Sequence, residues 1–444
     1  MLLFLIGALL AFSVLSYLIF YKDLFAPPTI VCLVLLFGAI CTFYNEKRWD
    51  LDFSSESACV IIFGIIAFII GGIIAVLLYS AWHHSTGRET KIVSGAKQVR
   101  IEDYKIWLVV LFELVTIIAL YRQLRLFAGN ELSWSEVVHE YRDQMNLEPE
   151  EVTMRLPFLL SQSLSLWFAL SFFFTYVFAN NCALNVKNPW LSAIPVLLYL
   201  IMSFMQGYRG DLIRIWVAFL VCYYTDQKRA VGWKKTRETK KLFWIIGITI
   251  LAIGVAFVLL RSSVGRTDGS KEWDPLYYVT FYAGSPMAAF DLFVKRHAPR
   301  PTIWAKETFY YLNQSLGAWL NKPELRYSFP KEFRVSPNGT WLGNVYTAFR
   351  APYNDFGFSG MLFFSLIIGL FFTLLYCRLR MQQGKRSIDL YLLAYSYIVY
   401  TCFLFFYNNY FFFLSTAFIK TILFWILGRW FFTELHLVRN NRLH

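Results

Sequence analysis

Long apolar blocks alternate with short charged ones along nearly the whole chain. A helix needs about 20 apolar residues to cross a hydrocarbon core of about 30 Å, because lipid offers free backbone N–H and C=O groups no partner. Blocks of that kind fall near residues 1–21, 28–44, 57–80, 104–121, 156–179, 188–206, 212–226, 242–260, 357–377, 388–406 and 411–428. The pattern predicts an all-α, polytopic integral membrane protein with about 11 transmembrane helices (10–12). Residues 1–21 lack a basic leader and a small-residue cleavage site, so they read as a first span rather than a signal peptide. No internal repeat or low-complexity linker interrupts the chain, which reads as one transmembrane domain over residues 1–444.

The charged connectors set the orientation. Arg88, Lys91, Lys97 and Arg100 precede the fourth block, and a run from Lys228 to Lys241 precedes the eighth. Arg378, Arg380, Lys385 and Arg386 follow the ninth, and Arg429, Arg439 and Arg442 close the chain. Short basic loops stay in the cytoplasm, which places the C-terminus inside and the N-terminus outside. The net charge of +13 follows from these loops and calls for no nucleic acid. The cysteines form no CxxC or Cys/His cluster, so neither structural zinc nor disulfides are expected.

Two predicted extracytoplasmic segments stand out. Residues 122–155 are acidic, and the spacing of Leu132, Trp134, Val137, Val138 and Tyr141 suits an amphipathic helix at the membrane surface. Residues 261–356 form a large basic loop rich in Trp, Tyr and Pro. A loop of that length is expected to be folded and functional, and it is long enough to escape the charge rule. Its apolar run 283–294 suggests a short re-entrant or interfacial helix, although Asp291 inside it needs a partner, as does Glu113 in the fourth block.

Candidate chemistry gathers in two stretches. In Gln206-Gly207-Tyr208-Arg209-Gly210-Asp211-Leu212-Ile213-Arg214 the glycines permit a tight turn that crowds Arg209, Asp211 and Arg214 at a helix end. An ordinary turn with snorkelling arginines is the bland alternative, but Arg214 lies one turn into an apolar block, where charge usually marks a substrate path. The second stretch runs from Asn344 through Tyr346, Arg350, Pro352, Tyr353 and Asp355 to Gly357 and Gly360. Pro352 is expected to stop one helix, with Asn354, Asp355 and the glycines shaping the start of the next. A third group, His139-Glu140-Tyr141-Arg142-Asp143, reads equally well as a solvated helix face.

With these elements the chain resembles the oligosaccharide repeat-unit polymerases, the Wzy-type enzymes of bacterial O-antigen and capsule synthesis. The resemblance covers the layout of nearly the whole chain: many spans, a Gly-x-Arg turn in the middle and a large external loop late. Its residue-level core is Gly207-Tyr208-Arg209-Gly210-Asp211 and Asn344-x-Tyr346 through Arg350 to Asp355-Phe356-Gly357-x-x-Gly360. An Arg-x10-Gly spacing described for some members is not met, because Gly360 lies one residue too close to Arg350.

The resemblance implies a metal-independent glycosyltransferase of the bacterial cytoplasmic membrane, active on its extracytoplasmic face. It would join undecaprenyl-diphosphate-linked oligosaccharides, and it implies no cofactor. Such an enzyme must stabilise charge growing on a lipid diphosphate, which planar guanidinium forks do well. Arg209 and Arg350 are then the expected diphosphate ligands, with Arg142, Arg214, Arg261 and Arg266 as lesser ones. Asp211 or Asp355 would serve as base or would orient an arginine, and Asn344, Tyr346 and Tyr353 would contact sugar. A chain-length regulator and a flippase are candidate protein partners. The alternatives are an O-antigen ligase, a polyprenyl-phosphate-sugar glycosyltransferase built on Asp50-Leu51-Asp52 with a divalent metal, and a transporter or flippase of lipid-linked sugars. Transporters favour inverted repeats and broken helices at the midplane, and neither is visible in the sequence.

Overall fold

The computed structural model describes residues 1–85, 95–129, 131–144, 154–233, 247, 274–296, 303–327, 331–382, 387–407 and 411–434. Among these, helices dominate and the only sheet is one two-stranded hairpin. Among the described residues six helices are long and apolar enough to cross a membrane: α1 (Leu2–Ile19), α2 (Pro27–Trp49), α3 (Ser55–Ser85), α4 (Asp103–Ala128), α6 (Phe158–Ala183) and α11 (Arg350–Arg380). The shorter α7 (Ile194–Met205), α8 (Gly210–Val231), α12 (Leu390–Ile398) and α13 (Thr416–Arg429) fall on the remaining predicted blocks, except 242–260, which apart from residue 247 lies outside the described residues. The protein is therefore an all-α, multi-pass membrane protein.

The chain divides into two compact units. The first holds Met1–Lys91, Glu272–Met381 and Ile398–Thr416; the second holds Ile92–Lys271, Gln382–Tyr397 and Ala417–His444. Small residues explain the packing in the first unit. A Cβ added at Gly71 of α3 would overlap the Leu366 carbonyl of α11, and one added at Gly369 of α11 would overlap the Phe68 carbonyl of α3. This mutual approach is the usual way helices associate without a hydrophobic driving force.

Within residues 261–356, the described parts are folded. A helix α9 (Pro275–Lys295) starts on the Asp274 cap, whose carboxylate accepts the Leu276 N–H at 3.2 Å. It is longer than the apolar run 283–294 suggested, and it packs on α2, where Thr42 Oγ1 donates to the Gly284 carbonyl at 3.0 Å. Asp291 finds its partners at the start of α3: its carboxylate accepts from the Ser54 N–H (2.9 Å) and hydroxyl (2.7 Å), and Lys295 lies 2.9 Å away. A short helix α10 (Tyr310–Trp319) follows. Strands β1 (Arg334–Val335) and β2 (Trp341–Gly343) then pair antiparallel. Their turn is closed by Ser336 accepting from the Gly339 and Thr340 N–H groups, so the Asn338-Gly-Thr340 triplet is a hairpin turn.

Pro352 does not end a helix. It occupies the first turn of α11, where its missing N–H has no intrahelical acceptor to lose. The break falls instead at Gly357, whose φ of 70° interrupts the helix and separates a short segment beginning at Arg350 from the long apolar run.

In the second unit, α5 (Trp134–Gln144) is the expected amphipathic helix, with Val137, Val138 and Tyr141 buried. Its exposed side carries the His139–Asp143 pair, Nδ1 to Oδ2 at 2.9 Å. At the far end of α8, Arg229 is not a solvated loop charge. It is fully buried, 3.3 Å from Asp226 and 3.1 Å from Asp389. Asp226 also accepts from Asn180 Nδ2 at 2.6 Å, and Asp389 accepts the Tyr391 and Leu392 N–H groups at the start of α12.

Candidate functional site

Arg350 opens α11 immediately after a segment that leaves β2, and that path determines its surroundings. The side chain is 2% exposed. Its guanidinium carbon lies 3.9 Å from the Tyr346 ring centroid and 4.6 Å from that of Phe293 on α9. Aromatic faces attract a desolvated cation, so the two rings fix the group without neutralising it. The counter-charge comes from Glu307, whose Oε1 accepts from Arg350 Nη2 at 3.1 Å and from Asn354 Nδ2 at 2.9 Å.

Glu307 is held there by Asp355. The Asp355 carboxylate accepts the Glu307 N–H (3.1 Å to Oδ2) and the Thr308 N–H (2.7 Å). Asp355 therefore anchors the segment that presents Glu307, and Glu307 in turn orients Arg350. Burial pushes the Glu307 carboxyl above its ordinary value, against the opposing pull of Arg350 and Lys331. Burial likewise pushes the Lys331 amine down, with Glu307 opposing and Arg350 adding to the shift.

Tyr346 is fully buried, and its hydroxyl donates to the Glu332 carbonyl at 2.6 Å. With one ring face against Arg350, it is placed to brace the arginine rather than to meet a sugar. Tyr353 is half-buried and donates to Glu56 Oε1 at 3.3 Å, and Asn344 is also half-buried. The first unit thus brings together Arg350, Tyr346 and, through Glu307, Asp355. It adds Glu307, Glu332, Arg334 and Phe293, none of which the sequence singled out. Only the expectation that a buried arginine needs a carboxylate partner would have prompted a search for Glu307.

The second unit brings together four other expected residues. Arg209 caps α8 and is 8% exposed. Asp211 Oδ2 accepts from Tyr199 Oη at 2.6 Å and from Ser203 Oγ at 3.0 Å, while its Oδ1 lies 3.7 Å from Arg214 Nη1. Gly207 has a φ of 77°, which a larger residue would adopt only with strain, and Arg142 of α5 packs beside it. Arg142, Arg209, Asp211 and Arg214 thus belong to one turn region. Burial raises the exposed-edge Tyr208 phenol above its ordinary value, with Asp211 adding to it. Arg261 and Arg266 lie outside the described residues. Asp50 and Asp52 are both exposed.

Comparison with known proteins adds one finding. The family model described as O-antigen polysaccharide polymerase Wzy matches residues 1–271. That match takes in the Gly207–Asp211 turn and ends before the Asn344–Gly360 stretch. No curated protein and no solved structure matches the chain.

Proposed function

The chain belongs to the O-antigen polysaccharide polymerase Wzy family, and we propose that Arg350 is the residue that stabilises its leaving group. In this reading the enzyme acts on the extracytoplasmic face of the bacterial cytoplasmic membrane. A hydroxyl of an incoming lipid-linked repeat unit attacks the anomeric carbon of a glycan carried on undecaprenyl diphosphate. The bond from that carbon to the diphosphate oxygen breaks, the hydroxyl proton passes to a general base, and undecaprenyl diphosphate departs. Negative charge grows on the diphosphate, and a preoriented, desolvated guanidinium stabilises it more than a hydrated one would.

The observation that carries this reading is the state of Arg350. It is buried, packed against two rings that meet edge to face, and oriented by Glu307, yet its Nε and Nη1 have no hydrogen-bond partner among the described residues. Buried donors are rarely left so, and a charged ligand would satisfy them. Asp355 and Asp211 use their oxygens on their own chain, which supports positioning roles for both. Arg142, Arg209 and Arg214 form a second cationic group suited to a lipid-linked anion, and Asn344 and Tyr353 are the residues left to contact sugar. The positive charge comes from side chains, so the reaction is read as metal-independent.

The test is reconstitution of the purified full chain in liposomes with an undecaprenyl-diphosphate-linked repeat unit. A ladder of lipid-linked glycans on a gel is expected. A single transfer to a non-repeat acceptor, with no ladder, would make the protein a ligase. Movement of the substrate across the bilayer without transfer would make it a flippase.

A further inference from the structure

Arg334 lies beside Arg350 and shares its character. It sits in β1, opposite Gly343 of β2, is 2% exposed, and its guanidinium lies 5.7 Å from the centroid of the same Phe293 ring. Its Nε and Nη1, like those of Arg350, have no hydrogen-bond partner among the described residues. One carboxylate oxygen serves both guanidiniums: Glu332 Oε1 is 2.9 Å from Arg334 Nη2 and 3.6 Å from Arg350 Nη2. Two buried like charges so close require an anion between them. The anion present is the least fixed carboxylate of the group, because the Glu332 side chain is 47% exposed while Glu307 is 1% exposed. Glu332 is also tied by its main chain, through the Tyr346 hydroxyl, so its carboxylate can leave without displacing the backbone.

We propose that Arg334 and Arg350 form a two-guanidinium phosphoryl site, and that Glu332 is an internal counter-ion occupying it until a diphosphate displaces it. This rests on the reading of Arg350 given above and deepens it. It assigns Arg334 to the diphosphate and gives Glu332 a competing role. A phosphoryl group presents more oxygens than a carboxylate and can engage the donors that Glu332 leaves unmet. While no diphosphate is bound, Glu332 keeps the empty site from holding two guanidiniums against Glu307 alone. A bound diphosphate therefore competes with a tethered carboxylate, which weakens product binding and favours turnover.

The experiment measures binding of inorganic diphosphate to the full chain in nanodiscs, in buffer without divalent metal. Glu332→Gln should bind inorganic diphosphate on the order of 10-fold more tightly than the wild type, a gain that misfolding cannot produce. Arg334→Gln should bind it at least about 10-fold more weakly, and the double variant should lose the gain. Undecaprenyl diphosphate in the nanodisc should displace the inorganic probe. Unchanged affinity in Glu332→Gln, or wild-type affinity in Arg334→Gln, overturns the two-arginine site. Probe binding that the lipid fails to displace overturns the assignment to the lipid diphosphate. If Arg350→Ala halts polymerisation while Glu332→Gln leaves affinity unchanged, the shared site fails and the reading of Arg350 stands. If the affinities shift as stated while Arg350→Ala still polymerises, the anion site stands and that reading fails.

Discussion

Two buried arginines in this protein have opposite surroundings. Arg229 faces two aspartates, Asp226 and Asp389, each held by further hydrogen bonds; both of its terminal nitrogens are paired, and Nε alone has no partner among the described residues. Arg350 shares Glu332 with Arg334, leans on Glu307, and keeps Nη1 without a partner among the described residues. The first arrangement closes on itself: one guanidinium, two fixed carboxylates and the start of α12 form a staple within the second unit. The second arrangement stays open: two guanidiniums meet one firmly held carboxylate and one half-exposed one. Burial alone therefore does not separate the two arginines; the pairing of their terminal nitrogens does.

Replacing each arginine with alanine should split the pair most sharply. Arg350→Ala strands only Glu307, which keeps its Asn354 partner and has a raised value that lets it take a proton. The protein should therefore stay in the membrane near its normal level while polymerisation slows by a factor on the order of 10² to 10³, by analogy with the loss of an oxyanion donor. A gel ladder would then stop at one repeat unit. Arg229→Ala should instead strand two buried carboxylates at a cost of about 3–5 kcal/mol, seen as a lower membrane level with activity per surviving molecule retained. Normal amounts of inactive Arg229→Ala protein would erase the contrast.

Arg209→Ala should resemble Arg350→Ala, with a normal membrane level and a lost ladder, if the Gly207 turn also handles a lipid-linked anion. A smaller effect is expected from Arg350→Lys, which keeps the charge but not the planar fork and should recover only part of the rate.

Glu307 offers a pH test. Its folded value is raised, so the folded protein holds this proton more tightly than the unfolded chain does. The associated stability is present below the ordinary glutamate range and is lost as pH rises through the raised value. Glu307→Gln mimics the protonated form and escapes that loss. Its melting temperature relative to wild type should therefore climb across that window; a constant difference would show that Glu307 titrates normally. The smallest effect is expected from a divalent-metal chelator, which should leave polymerisation by the purified protein intact. Loss restored by added metal would favour a site built on Asp50 and Asp52.

The apolar blocks made the fold legible because span length and composition are local properties. They failed where a residue's meaning depends on distant partners. Pro352 marked a helix end in the sequence, but the first turn of α11 tolerates it and Gly357 takes the break. Arg229 counted as a loop charge because Asp389 is far along the chain. The arginines of the site were visible through their turn and helix-start context. Glu307, Arg334 and Phe293 were not, since three separate segments converge on Arg350 only after folding.

The most direct test of the account is the release of undecaprenyl diphosphate per glycosidic bond formed, measured with purified wild type and Arg350→Ala at equal protein in liposomes. The wild type should release one lipid diphosphate per bond, and the variant should slow both events together on the order of 10² to 10³. Equal rates of release and bond formation in the two proteins would show that Arg350 does not stabilise the leaving group.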